Sequence, residues 1–266
     1  MQASVLIATY NQPEFLRRTL LGMARQTTDA YEIVICDDGS GPEIGAVLDE
    51  WRGTYKTELR RVTQEDRGFR KCRILNAGIR ESRTDYLIFL DADCIPHRGF
   101  VEAHLRCRRE GAYLVGRRVQ LSARYTDRLT DRAVLAGCVQ NVWLAGLPDA
   151  FTGKLRHLEA AVRTPHWWWR LAGARPLALK GCNFSCWKSD MQAINGFDEE
   201  FVTPSAGEDT DVERRFLLLG LQSVSVKHRA LCYHQYHPLL PRGTEGLARY
   251  ERLKENREVR CEHGLR

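Results

Sequence analysis

The 266-residue sequence has no run of about 18 apolar residues, so it offers no membrane-spanning helix. Its first residues, MQASVLIATYNQP, lack a basic stretch and a small-residue cleavage site, and no secretory signal is expected. No internal repeat or low-complexity tract breaks the chain. None of the nine cysteines belongs to a CxxC pair, and their number is odd. A zinc ribbon and a disulfide framework are therefore not expected, and reduced thiols in a cytoplasmic protein are. Hydrophobic residues, at 43%, suffice for a sizeable core, and the length fits one large domain or two small ones. The net charge of +6 suits an anionic ligand or surface. Charge alone does not choose among nucleotide phosphates, lipid and nucleic acid.

Short apolar runs alternate with helical periodicity through the first third. Ser4 to Ala8, Tyr31 to Cys36, Leu59 to Thr63 and Tyr86 to Leu90 read as strands. Glu14 to Arg25, Pro42 to Trp51 and Arg73 to Glu81 read as helices. This alternation predicts a parallel sheet with crossover connections, whose ligands bind beyond the carboxyl ends of the strands.

Polar clusters follow three of those strands: Thr9, Tyr10 and Asn11 after the first, Asp37 and Asp38 after the second, Asp91 and Asp93 after the fourth. One acidic strand end is ordinarily an Asx turn or a helix cap. Three on one rim point to a site. Asp91 and Asp93, two apart on an extended strand, would face the same way. Two hard oxygen donors suit Mg²⁺ or Mn²⁺ carrying substrate phosphates.

The ordered segments SVLIATYN, VICDDGS, GFRKCRILNAGI and YLIFLDADCIP resemble family 2 of the nucleotide-sugar glycosyltransferases, which have the GT-A fold. Downstream, KGCNFSCWKSDMQAINGFDEEF and GEDTDVERRFLLLG resemble the acceptor-side half of bacterial chondroitin-polymerase-type and galactosyltransferase-type enzymes. Together the motifs cover residues 3–110 and 179–237. The resemblance implies an α/β fold: a Rossmann-like, mixed and mainly parallel sheet flanked by helices, in a single globular unit with a helical insertion. It divides the chain into a nucleotide-sugar-binding half at 1–115, an insertion at 116–178, a catalytic and acceptor-binding half at 179–240 and a C-terminal helical extension at 241–266. A charged helix is expected over Gly246 to Val259.

The resemblance also implies roles. Thr9, Tyr10, Asp37 and Asp38 correspond to the nucleoside pocket. Lys71, Arg73 and Asn76 correspond to the phosphate and base contacts, and Asp91, Ala92 and Asp93 to the metal and diphosphate motif, with Asp93 a direct ligand. Asp209 corresponds to the general base and Glu208 to its neighbour. His234 is a further metal ligand, with His237 the competing choice. Asn183 and Trp187 would meet the acceptor. The implied activity is inverting, Mn²⁺- or Mg²⁺-dependent transfer of a hexose from a nucleotide-diphosphate sugar, with uridine expected, to a hydroxyl of a glycan or lipid-linked acceptor in polysaccharide or lipopolysaccharide synthesis. The sequence departs from galactosyltransferase-type relatives at PSAGEDTD, where those carry Trp-Gly, and at Cys182, where they often carry Gly.

The middle is basic and aromatic, with Trp167, Trp168 and Trp169 beside Arg163 and Arg170. Three consecutive tryptophans cannot share one helix side. Peripheral contact with an anionic membrane, at the inner face, is one expectation. An aromatic lid or acceptor pocket is the other. Two further readings of the whole chain stand beside transfer: a nucleotide-sugar binding module without activity, and a basic nucleic-acid binder. Carboxylates along the main cleft would repel nucleic-acid phosphates, so no nucleic-acid partner is expected.

Overall fold

The structure, a computed structural model of the chain, describes all residues except 56, 168, 170–175, 205–206 and 239–243. Strands β1 (Ala3–Thr9), β2 (Tyr31–Asp37), β3 (Leu59–Thr63) and β4 (Tyr86–Asp91) alternate with helices α1 (Pro13–Met23), α2 (Pro42–Thr54) and α3 (Lys71–Glu81). Proline opens α1 and α2 at their first turn, where its missing N–H is not needed. Then come β5 (Cys94–Pro96), α4 (Phe100–Cys107), β6 (Ala112–Val115) and β7 (Arg117–Gln120). Short helices α5 (Ala123–Asp127), α6 (Asp131–Ala136), α7 (Val142–Ala145) and α8 (Leu147–Phe151) follow. The chain continues through β8 (Asn183–Trp187), α9 (Lys188–Ala193), α10 (Glu208–Leu218), β9 (Gln222–Ser225), β10 (Leu231–His234) and α11 (Glu245–Leu253).

Seven strands form one sheet in the order β3-β2-β1-β4-β8-β6-β9. β1, β2, β3 and β4 are mutually parallel, and β8 runs antiparallel to β4 and β6. Strand β1 lies between β2 and β4, so the winding direction reverses at the β1/β4 crevice. Such a crevice is where ligands enter open α/β sheets. A second sheet, β5-β10-β7, grows from the end of β4.

Alternation along the strands sorts the core. Val5, Ile7, Ile33, Ile35, Ile88 and Leu90 meet α1, α2 and α4 on one face. Leu6, Val34, Leu87 and Phe89 meet α3, α9 and α10 on the other. A third cluster puts Ile95, Val119 and Tyr233, from the back of the second sheet, under the 121–161 segment. The mixed, mainly parallel sheet between helical layers agrees with the fold expected.

The last helix is shorter than the sequence suggests. α11 stops at Leu253, because Tyr250 and Leu253 are the last residues of that helix to reach the second cluster. The remaining chain runs back over residues 194–199, with Leu265 N donating to Asn195 O at 2.8 Å and Glu199 N to His263 O at 2.9 Å. All nine cysteines are free thiols. No helix among the described residues is long and apolar enough to cross a membrane.

Candidate active site

Three strand ends meet at the β1/β4 crevice. Thr9 closes β1, and its buried hydroxyl has no hydrogen-bond partner among the described residues. Asp37 closes β2 fully buried, accepting from Arg61 Nε at 2.9 Å and from Ser40 N at 3.0 Å. Asp38 accepts from Arg70 N at 2.9 Å and from the Gln64 amide. Burial raises the Asp38 pKa, against the lowering effect of those hydrogen bonds. Tyr10 is exposed, and its hydroxyl donates to Asp66 at 3.0 Å.

Strand β4 delivers Asp91, whose Oδ1 accepts from Lys71 Nζ at 2.7 Å. Burial pushes the Asp91 carboxyl up and Lys71 opposes it. Burial would weaken the charge on Lys71, but Asp91, Asp209 and Glu208 together more than offset this and raise its pKa. Lys71 thus faces carboxylates from both halves of the chain. Ala92 is buried in the turn after β4, donating to Ala8 O at 2.9 Å and accepting from Thr19 Oγ1 at 2.7 Å.

That turn presents Asp93 to β10. His234 Nε2 lies 3.2 Å and His237 Nε2 3.1 Å from the same oxygen, Asp93 Oδ2. One ligand atom from each of the three residues falls within 4.8 Å of the others. Backbone pairing sets this geometry: His234 is in register with Cys94, and Gln235 N donates to Asp93 O at 2.8 Å. The buried Gln235 side chain then holds Phe15 O at 3.2 Å, which turns the chain so that His237 reaches the same point. Burial alone would raise the Asp93 pKa, but the two imidazoles hold it well below the usual carboxylate range.

The donor set fits a divalent cation. Pro238 O lies 2.9 Å from His237 Nδ1 and accepts a hydrogen bond from its N–H. In the neutral ring Nε2 then carries a lone pair aimed at a carboxylate oxygen, an arrangement that a cation between them resolves. Two imidazoles and one carboxylate leave positions open for phosphate oxygens.

Opposite, the N-terminus of α10 carries Glu208 and Asp209. Asp209 Oδ2 accepts from Gly181 N at 2.7 Å. A Cβ on Gly181 would stand 2.5 Å from Asp209 Oδ1, so only glycine admits this approach. Gly207, at φ +145°, takes a backbone conformation that leads the chain into the helix and that side-chain-bearing residues avoid. Burial raises both carboxyls, and for Glu208 the Asp209 charge adds to it, pushing its pKa up to about 7. Asp211, one turn on, is structural: its Oδ2 accepts from the buried Arg215 Nε at 2.8 Å.

Residues 4–174 match "Glycosyl transferase family 2", which is more than half of the chain. The chain belongs to glycosyl transferase family 2. Residues 159–238 match a second family, "N-terminal domain of galactosyltransferase". The chondroitin synthase of Escherichia coli is 27% identical over 88% of this chain, and that of Pasteurella multocida is 26% identical over 88%. The chain spans 35% and 25% of those two proteins. Among solved structures, GalNAc-T7 with UDP, GalNAc and Mn²⁺ superposes with TM-score 0.67 at 15% identity, covering 96% of this chain and 48% of that one. Staphylococcus aureus TarS 1-349 gives 0.63 at 14%, covering 100% and 67%. These likenesses show the GT-A fold.

Within this glycosyltransferase fold, four of the residues singled out in the sequence stand outside the cluster. Asn76 is fully buried, with its amide on Phe197 O at 2.9 Å and Glu199 at 3.0 Å, and its carbonyl oxygen on Phe197 N at 2.8 Å. Asn183 is fully buried too, donating to Arg117 O and Ala230 O and meeting His104 at 3.1 Å. Trp187 pairs in register with Tyr86, at the start of β4, whereas the site is at its end. Five residues of strand, roughly 16 Å, separate them. Arg73 is exposed on α3. Trp169 packs against the first core cluster and donates to Ser225 O at 2.7 Å, while Trp167 is exposed. Trp168 and Arg170 lie outside the described residues. His237, the competing choice to His234, meets the same Asp93 oxygen alongside it, and the sequence reading passed over Arg118 on β7. Burial disfavours the charge on Arg118, but Cys182, Cys94, Asp93 and Asp91 face it and raise its pKa.

Proposed function

We propose that the chain transfers a sugar, with inversion, from a nucleotide-diphosphate donor to a hydroxyl of a glycan or lipid-linked acceptor, and that it needs Mn²⁺ or Mg²⁺. The observation that carries this reading is the convergence of Asp93, His234 and His237 on one point, beside the Lys71–Asp91 pair and across from Asp209. The Mn²⁺, UDP and GDP-mannose named with the solved neighbours support the donor class, and UDP is the nucleotide we assign. The chondroitin synthase relatives support a polysaccharide or glycolipid acceptor.

In this mechanism the nucleoside lies against Thr9, Asp37 and Asp38, where the unpartnered Thr9 hydroxyl awaits a hydrogen bond. Lys71 faces the diphosphate together with Asp91. A divalent ion on Asp93, His234 and His237 would screen the diphosphate charge and stabilise it as it departs. Asp209 accepts the proton of the acceptor hydroxyl as that oxygen forms a bond to the sugar C1. The C1–O bond to the diphosphate breaks on the opposite side, so the anomeric configuration inverts. Glu208, close to Asp209, keeps the pair's proton affinity near that of a working base.

We also assign a peripheral membrane contact at an anionic inner leaflet. Trp167, Trp143 and Phe151 expose 61%, 50% and 87% of their surface in a basic segment, a composition that suits the headgroup level. Flotation with anionic vesicles tests it: protein recovered with the vesicles is expected, and protein left at the bottom refutes it.

The transfer reading is tested by Asp209→Asn. UDP release from UDP-sugars should fall by about 10² to 10⁴-fold, while calorimetric affinity for UDP with Mn²⁺ stays the same. Unchanged turnover would remove Asp209 from the base role. Absent turnover in the wild type across a UDP-sugar panel, with UDP still bound, would leave a binding module.

A further inference from the structure

We propose that Arg25, His97, Arg98 and Arg163 form a binding site for a phosphate group, of the kind that a lipid headgroup carries. The lipid source rests on the peripheral membrane contact assigned above, and the phosphate site itself does not. Three segments build it. His97 follows β5, Gly99 precedes α4, and the loop after α1 is tied to both. Gln26 Nε2 donates to His97 O at 3.0 Å, Thr27 N donates to Arg98 O at 2.9 Å, and Gln26 Oε1 accepts from Val101 N at 3.0 Å. Arg25 leaves that loop beside the 97–101 turn. The third segment is a strap. Thr164 N donates to His228 O at 2.9 Å, and Val162 O lies 2.9 Å from His228 Nδ1. Both neighbours of Arg163 are thereby fixed to the turn between β9 and β10. A Cβ on Gly99 would stand 3.0 Å from the Arg163 guanidinium and 3.6 Å from His97 Nδ1, so the two side chains flank one point at the start of α4.

That point collects donors. His97 exposes only 9% of its surface. Its Nδ1 accepts from Gly99 N at 3.0 Å, which leaves the proton of the neutral ring on Nε2. Burial, and after it the charges of Arg163, Arg98 and Arg25, push the His97 pKa down to about 4, so the ring is neutral near pH 7. Among the described residues nothing accepts from that Nε2–H, nor from the guanidinium of Arg25, Arg98 or Arg163. A donor so nearly buried is ordinarily paired. Backbone does not supply the contact: Phe100 N donates to His97 O and Val101 N to Gln26, so the first N–H groups of α4 are taken. Glu102, the acid of that first turn, is held by Thr27 Oγ1 at 2.8 Å and by Arg106 at 3.1 Å. The missing partner is an acceptor with several oxygens and more than one charge to share. A phosphate meets both needs and suits the arginine fork. A carboxylate offers two oxygens to four donor side chains.

What borders the cluster favours a lipid. Arg25 is half-buried, while Arg98 and Arg163 reach solvent, so the cluster opens to the surface. Arg25 lies across Gly137 at the end of α6, ahead of the exposed Trp143, and Arg163 precedes the exposed Trp167. Indole rings at headgroup level beside basic side chains suit an anionic membrane surface.

The test compares wild type, Arg98→Gln/Arg163→Gln and a control with the same loss of charge, Arg52→Gln/Arg252→Gln, on α2 and α11. Inorganic phosphate is titrated while the His97 ring nitrogens are followed by NMR, the resonance being assigned by its loss in His97→Gln. Partition is measured onto vesicles of equal parts phosphatidylcholine and phosphatidylglycerol. Phosphate should shift the His97 Nε2 resonance of wild type to saturation and leave it in place in Arg98→Gln/Arg163→Gln. That variant should bind vesicles about tenfold more weakly or worse, the scale of two surface arginines, and the control should match wild type. UDP affinity with Mn²⁺ should be the same in all three. A His97 resonance that ignores phosphate in wild type would overturn the site. Vesicle binding lost equally in the control, or unchanged in Arg98→Gln/Arg163→Gln, would overturn the headgroup role while the membrane contact stands. A saturating phosphate response in a wild type that binds no vesicles would uphold the site for a free phosphate compound and remove the membrane reading.

Discussion

The two carboxylates at the start of α10 make the most direct prediction at the scale of single residues. A base must be ionised to work, and burial raises both groups, Glu208 to about 7. They titrate as a pair. Turnover over KM should therefore rise with pH along a limb displaced above the ordinary carboxylate range and fall away below it. In Glu208→Gln the removed charge no longer opposes ionisation of Asp209, so the limb should move to lower pH. A pH–rate profile that keeps its position in Glu208→Gln would contradict the pairing. Asp91 and Asp93 were legible because an apolar run leads directly into them. That His237 joins His234 at Asp93 instead of competing with it was not legible, because its approach goes with Gln235 being buried against Phe15, a tertiary contact without a sequence pattern. Arg118 was equally hidden, in a four-residue strand with little apolar alternation.

Elements explain both what was legible and what was not. Strands β1, β2 and β4 are runs of buried residues bounded by polar turns, so their ends and the rim they form could be read directly. Strand β8 runs antiparallel to β4, and this reversal sends Trp187 to the far end of the sheet and Asn183 into a buried network. Direction is a property of pairing, and β8 alone does not carry it. Helix α10 and its surroundings yield two predictions. Gly181→Ala puts a methyl group against Asp209 and should lower turnover by roughly 10²-fold through a displacement of about 1 Å, with UDP affinity retained. Turnover equal to wild type would show that Asp209 has room to move. Asp211→Ala leaves Arg215 buried with its guanidinium unpaired on that side, although Ile194 O and Gly196 O still accept from it at 2.6 Å and 2.7 Å. Denaturant unfolding should show a loss of about 3–5 kcal/mol. A loss below about 1 kcal/mol would mean that the pair contributes little beyond an exposed ion pair.

For the molecule as a whole, the doubly covered sheet and its β1/β4 crevice bring together side chains from residue 9 to residue 237. The second sheet is the connecting device, since β5 follows Asp93 directly and β10 carries His234 back beside it. Its three strands are three or four residues long, too short to show in the sequence, although the chemistry they deliver was partly legible in the histidines of LCYHQYHP. The account predicts that the metal point and the nucleotide site are one site. The measurement that tests this most directly is calorimetric titration of UDP into wild type and Asp93→Asn, each with Mn²⁺ and with chelator. Wild-type affinity should fall by about tenfold or more, ~1.4 kcal/mol, when the chelator removes the metal, and Asp93→Asn should bind weakly whether or not Mn²⁺ is present. UDP affinity that ignores both the chelator and the loss of Asp93 would contradict the account.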